Sequence, residues 1–237
     1  MSLYKHSFWE VLLQSFSAEV WAKMWPAIQS TLYMVAISSV FVLLFGTFFG
    51  IVLAATRKSG LIPSLFPLNV ALSGTVNVMR SLPEMIMIIV MLPLARLITG
   101  QSYGSNACII ALVASCVPMF SRLVESILLG IDKGKLEAAK AMGSPTSKIL
   151  LEVMIPETFP ALIRAYSVAI IALISMTALA GNFGAGGIGD LAVRYGFSRF
   201  QHDILFATIY VLIIMVMGVQ LVFDLLARSI SKKWHTI

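Results

Sequence analysis

Charge is what this sequence has least of. Lysine, arginine, aspartate and glutamate make up 12% of its 237 residues, against 59% hydrophobic. A soluble domain carries about 25% charged residues, so the composition excludes one and places the chain in a bilayer. The 17 basic and 11 acidic side chains leave a net charge of +6. The basic residues flank apolar runs and do not interleave with aromatics on a polar face, which argues against nucleic acid as a partner. Cysteine is nearly absent, with only Cys108 and Cys116. On one helix they stand about 12 Å apart, at a rise of ~1.5 Å per residue, beyond the reach of a disulfide. Histidine is as sparse: His6, His202 and His235 all fall outside the centres of the apolar runs. There is no HExxH, no GxSxG and no Cys/His metal spacing, so no catalytic residue, metal ligand or cofactor is assigned. A GxxxxGK[ST] phosphate loop is missing too, so the chain is read as no enzyme and is not expected to hydrolyse ATP itself. Neither an internal repeat nor a low-complexity tract is visible.

What the sequence does have is long apolar runs. Five are long enough for a ~30 Å hydrocarbon core: about 31–55, 73–98, 107–129, 160–180 and 204–227. The expected fold is an all-α membrane protein, a single transmembrane domain over 1–237 with five transmembrane helices. Ahead of them, Trp9, Leu12, Leu13, Phe16 and Val20 recur at helical spacing among Glu10, Glu19 and Lys23. This pattern predicts an N-terminal interfacial helix over 8–25; the alternative is a partly packed tail. Glu10, Glu19 and Lys23 also interrupt any signal-peptide core. In the first run Gly46 and Gly50 either let a neighbouring helix approach closely or are merely tolerated in lipid.

Two charge pairs sit in or beside the runs. Arg80 and Glu84 are one turn apart around Pro83, near a helix end. They read either as part of the translocation path or gate, or as a structural pair with Arg80 snorkelling to the interface. Arg122 and Glu125 share a helix face and are expected to fix the helix end that carries the following loop. The fourth run closes on Met176, Thr177 and Leu179, held as gate candidates, before a glycine cluster that includes Gly184, Gly186, Gly187 and Gly189. Glycine at that density does not favour a helix. An external non-helical loop is expected there, either a structural turn or a docking surface for an external partner.

The longest polar interruption is EAAKAMGSPTSKILLEVMIP, Glu137–Pro156. Its composition predicts a helix over 135–142. Gly143 suits the C-cap, Ser144 the next N-cap and Pro145 the first turn of a second, short helix ending at Pro156. The spacing of Glu137, Ala138, Ala139, Gly143, Val153, Ile155 and Pro156 resembles the EAA signature of ABC importer permeases, with Val153 and Ile155 where the family usually has Ile and Leu. Arg80-Ser81-Leu82-Pro83 and the run Gly184–Phe197 resemble the methionine-importer permeases of that superfamily. The resemblance implies a type I ABC importer permease architecture in a bacterial inner (plasma) membrane. It also implies a homodimer of this chain, two cytoplasmic ATP-binding cassette ATPase subunits and an external substrate-binding protein. Glu137, Ala138, Ala139, Gly143 and Pro156 would then be the ATPase-coupling residues of a cytoplasmic loop over 130–159. The cargo it implies is an amino acid, methionine (D- or L-) first, with another amino acid or a small peptide as the alternative.

Orientation follows from basic residues. With the 130–159 loop in the cytoplasm, Arg57, Lys58, Lys133, Lys135, Lys140, Lys148, Arg164, Arg228, Lys232 and Lys233 lie inside, and only Lys5, Lys23, Arg96, Arg194 and Arg199 outside. The positive-inside rule then puts the N-terminus outside and the C-terminus in the cytoplasm. A stand-alone ion-coupled carrier is the competing class. Such carriers usually bring duplicated halves and ionisable residues at the midplane, and neither is present here.

Overall fold

The computed structural model describes residues 8–234. Lys5, His6 and His235, counted above, lie outside the described residues. Within them the chain is helical throughout, with no strand. An apolar chain in hydrocarbon must satisfy its own backbone, and a helix does so within one segment.

After a short α1 (Phe8–Gln14), α2 (Ala18–Phe41) runs through a π-helical turn (Val42–Gly46) into α3 (Thr47–Ala55). Together they form one 38-residue span, Ala18–Ala55. The 8–25 segment is therefore not one interfacial helix: it breaks at Ser15, whose hydroxyl donates to the Leu12 carbonyl, and its second half opens the first span. Packing supplies the reason. Val20, Met24 and Ala27 form a helical stripe that is buried against Ile188, Leu191, Ile204, Ala207 and Val211, and a buried stripe cannot also lie on the membrane surface.

The expected second span is two helices, α4 (Phe66–Ser81) and α5 (Glu84–Thr99), broken at Leu82–Pro83. Proline disfavours helical backbone in the residue before it, and Leu82 is extended (φ −78°, ψ 133°). Arg80 and Glu84 thus end up on separate helices. Both are exposed, and neither has an ion-pair partner among the described residues.

α6 (Ser105–Leu129) matches the third run. α7 (Lys133–Ala141) lies in the polar loop. α8 (Thr146–Lys148), a π turn (Ile149–Met154) and α9 (Ile155–Ala180) join into a second 38-residue helical stretch, Thr146–Phe183. It begins well before the expected 160. α10 (Gly187–Leu191) and α11 (His202–Trp234) complete the chain. Four stretches are long and apolar enough to cross a membrane; counting the broken α4–α5 pair as one span brings the number to five.

The chain divides into two compact units. One comprises the residues up to Val40, Pro83–Ser115 and Ile170–Val219. In it, the glycine-rich segment is more ordered than the sequence implies: Gly184, Gly186 and Gly187 take positive φ, and α10 and a further π turn (Ala192–Phe197) follow. The expected non-helical loop is confined to the first few residues, because Ile188 and Leu191 bury their side chains and so reward a helical turn. Gly181 and Gly189 leave no room for a Cβ against Asp190 and Ala178 respectively, so the return segment rests directly on the end of α9.

The other unit comprises Phe41–Leu82, Cys116–Ala169 and the residues from Gln220. Here α3 packs tightly on α6. A Cβ on Gly50 would come within 2.6 Å of Val124 and 2.7 Å of the Ser121 carbonyl, which decides for close approach over mere tolerance. Buried Asn69 on α4 donates to the Leu53 carbonyl (2.7 Å) and to Thr56 Oγ1 (3.1 Å), satisfying one of the last carbonyls of α3. Phe120, Tyr166 and Phe223 link α6, α9 and α11 through ring contacts of 6.0 and 5.5 Å between centroids.

Gly50→Val is expected to destabilise the protein by about 1–3 kcal/mol through overpacking. Gly74→Ala, where a Cβ meets nothing within 4 Å, should be neutral or stabilising by up to ~1 kcal/mol. Thermal unfolding of the two variants in detergent checks the contrast.

Candidate functional site

The polar loop is built around one corner. Asp132 caps α7, its carboxylate accepting from Gly134 N at 2.7 Å. Asp and Asn are strong N-caps, a signal present in the sequence and passed over there. At the other end Gly143 sits at φ +72° with nothing within 4 Å of where a Cβ would be. The demand is conformational, not steric: an L side chain there is disfavoured by ~1–2 kcal/mol. Gly143 N donates to the Lys140 carbonyl (2.9 Å) and Ser144 N to the Ala139 carbonyl (3.2 Å), closing the end of α7.

The second half differs from expectation in two ways. Pro145, extended at φ −66° and ψ 152°, is the N-cap; Ser144 is not. The helix also does not stop at Pro156 but runs on through Pro156 and Pro160. Proline lacks the N–H that an α-helix needs, and the π turn at Ile149–Met154, one residue before α9 and two before Pro156, widens the register where that bond would fall. The loop is thus one nine-residue helix, a tight corner and the start of a long span.

Ala139 is buried, whereas Glu137, Ala138, Lys140 and Gly143 are exposed. The Glu-Ala-Ala triplet therefore divides its work: Ala139 seats the helix, and its neighbours face outward. Glu137, Lys133 and Lys140 border a cavity of about 280 Å³ that Gly60, Leu61 and Met154 also line. Lys135 and Glu157 form an ion pair from α7 to α9, each about half exposed, and a pair so exposed is worth only ~0–1 kcal/mol. Met142, at the corner, is 77% exposed. A large apolar side chain beside a turn glycine was the signal for it.

Arg122 and Glu125 pair as their spacing predicts, at 2.6 Å. Arg122 also donates to the Ser73 carbonyl (3.1 Å) and Asn77 Oδ1 (2.9 Å) on α4, partners that no spacing rule reveals. Of the gate candidates, Met176 and Thr177 are buried in their own unit, with Thr177 Oγ1 donating to the Ile174 carbonyl (2.6 Å), and Leu179 is half-buried. In the glycine-rich segment, Gly187 and Gly189 are buried, while Gly184 is exposed and Gly186 half-buried. That segment is pinned by Thr31, whose hydroxyl accepts from Ile188 N at 2.9 Å, and by Ser105, whose hydroxyl donates to the Ala185 carbonyl at 3.1 Å.

Comparison with known proteins places this architecture. The family described as binding-protein-dependent transport system inner membrane component matches residues 46–236. The chain belongs to this family.

Relatives of this transport component carry narrower names. It is 37% identical over 203 residues to the probable D-methionine transport system permease protein MetI of Vibrio cholerae, covering 86% of this chain and 90% of that one. It is 43% identical over 166 residues to the methionine import system permease protein MetP of Bacillus subtilis, covering 70% and 74%. A solved structure of the MetNI methionine ABC transporter in an inward-facing conformation is similar at a TM-score of 0.86 and 31% identity, covering 91% of this chain and 99% of that one. The all-helical, five-pass reading is that of a type I ABC importer permease.

In this transport component, Thr31→Val leaves the buried Ile188 N–H without its acceptor, at a cost of about 1–3 kcal/mol. Faster amide exchange across Gly184–Leu191, with α7 unaffected, is the expected readout.

Proposed function

We propose that this chain is the permease of an ATP-driven importer for methionine, working as a homodimer on two ATP-binding cassette subunits and fed by an external binding protein. The observation that carries the reading is the polar loop: a short helix with an outward Glu137, turned at Gly143 and joined by a four-residue corner to the helical stretch Thr146–Phe183. The corner is short, so a push on α7 reaches the span over only four residues. Small Ala138 and the left-handed Gly143 allow a partner surface to approach closely. The Glu137 carboxylate has no ion-pair partner among the described residues, which leaves it for a basic group on that surface. Ala139 and Pro156 then act by seating the lever, not by touching the partner.

Nucleotide-driven closure of the partners biases the spans between inward-open and outward-open arrangements, and the bias is no larger than the difference in interaction between the two states. Orientation follows the basic residues: loop and C-terminus in the cytoplasm, N-terminus outside. Arg80 and Glu84, flanking the Leu82–Pro83 break, and Met176, Thr177 and Leu179 are assigned to the path or its gate. Gly184, Gly186, Gly187 and Gly189 shape the external face on which the binding protein docks. Methionine as cargo is supported by what the relatives named above are described as moving.

Gly143→Pro cannot reach φ +72°, because proline is held near −65°, and Glu137→Lys reverses the outward charge. Each is expected to lower ATP-driven methionine uptake by about 5- to 150-fold, the range of a coupling free energy of ~1–3 kcal/mol, while membrane insertion is unchanged. Uptake in proteoliposomes containing the ATPase subunits measures it. Normal uptake by both variants, or ion-driven uptake by the chain alone, would sink the proposal.

A further inference from the structure

One cavity in the second unit is touched by this reading only at Arg80. It measures about 750 Å³ and is lined by Arg57, Arg80, Arg122 and Glu125, with Leu129 and Val168 on its walls. We infer that it holds the phosphodiester of an anionic phospholipid whose headgroup lacks an ammonium, with an acyl chain lying along Leu129 and Val168.

Charge comes first. Three guanidiniums face one carboxylate, and that carboxylate is already taken by Arg122 at 2.6 Å. Arg57 and Arg80 are exposed, and neither has an ion-pair partner among the described residues. Arg122 Nε is buried and donates to nothing. The cavity thus has two uncompensated charges and a spare donor, and planar guanidinium forks match phosphate oxygens. Depth comes second. Arg57 stands just past the end of α3 at Ala55, and Gly130, also on the cavity wall, just past the end of α6 at Leu129. Both are ends of membrane-spanning stretches on the loop's side, where headgroups lie. Basic pockets between transmembrane helices at this depth suit anionic headgroups. Third, Leu129 and Val168 are 40% and 53% exposed, an apolar wall that a soluble phosphate does not need. A transported amino acid fits less well, because its ammonium would meet arginines with the sole carboxylate engaged.

The test uses the full chain assembled with its ATPase subunits, delipidated and given phosphatidylglycerol or phosphatidylcholine, with retained lipid counted by native mass spectrometry. Phosphatidylglycerol should be retained over phosphatidylcholine. Arg57→Gln/Arg80→Gln should weaken that retention by about fivefold for each arginine removed, and Arg57→Lys/Arg80→Lys should keep most of it. Should the double variant fail to assemble, Arg57→Gln alone carries the test at the smaller effect. Equal retention of the two lipids, or undiminished phosphatidylglycerol on the glutamine variant, overturns the inference. So does displacement of phosphatidylglycerol by millimolar inorganic phosphate, which would make the occupant a soluble anion, or by methionine, which would make it the cargo's carboxylate. Methionine uptake is measured separately on Arg57→Gln, a position with no place in the assigned path, so loss of lipid there leaves the transport reading standing, and the reverse holds.

Discussion

In hydrocarbon there is no water to satisfy a stray backbone group, and this constraint accounts for most of the chain. Each pass is a helix because a helix pairs its own donors and acceptors. Several departures from the regular helix are matched by a substitute partner or a change of register. Where α3 ends, Asn69 takes up the Leu53 carbonyl. Where α10 begins, Thr31 takes up the Ile188 N–H. Where proline removes a donor at position 156, a π turn precedes it. At these three places the irregular backbone is accompanied by a local polar contact or a change of helical register.

The same economy makes a lever. The stretch Thr146–Phe183 runs on past Pro156 and Pro160 behind the π turn at Ile149–Met154, and α7 is attached to it through a four-residue corner whose shape is set by Gly143. In the proposed function, the length of that helix and the single left-handed residue at its base carry a motion outside the membrane into it. The ion pair from Lys135 to Glu157 is too exposed to hold the corner by itself. The burial of Ala139, Ile149 and Met154 holds it.

Arginine has three different tasks in one unit. Arg122 ties α6 to α4 through a carbonyl and an amide and neutralises Glu125. Arg80 sits at the end of α4, beside the bend. Arg57 follows the end of α3 and has no ion-pair partner among the described residues. That unequal division makes the cavity between them attractive to an anion, and it shows why a pair inferred from spacing alone, Arg80 with Glu84, fails when a proline separates the two helices.

Much of this protein was legible in its residues. Four unbroken apolar passes, the α7 helix, the Gly143 corner and the Arg122–Glu125 pair all follow from preferences that a residue carries with it or shares with a neighbour one turn away. Apolar length, left-handed backbone at glycine and i,i+3 geometry need no knowledge of the fold. The span ends were less legible, because an amphipathic start such as Val20, Met24 and Ala27 reads alike whether its stripe meets lipid headgroups or another helix. Tertiary structure alone decided that the stripe is buried, that Gly50 is a contact, that the glycine-rich segment winds back into a helix, and that Arg57, Arg80 and Arg122 converge. Those outcomes depend on which distant segments pack together, and packing is a property of pairs of surfaces that no single stretch of chain encodes.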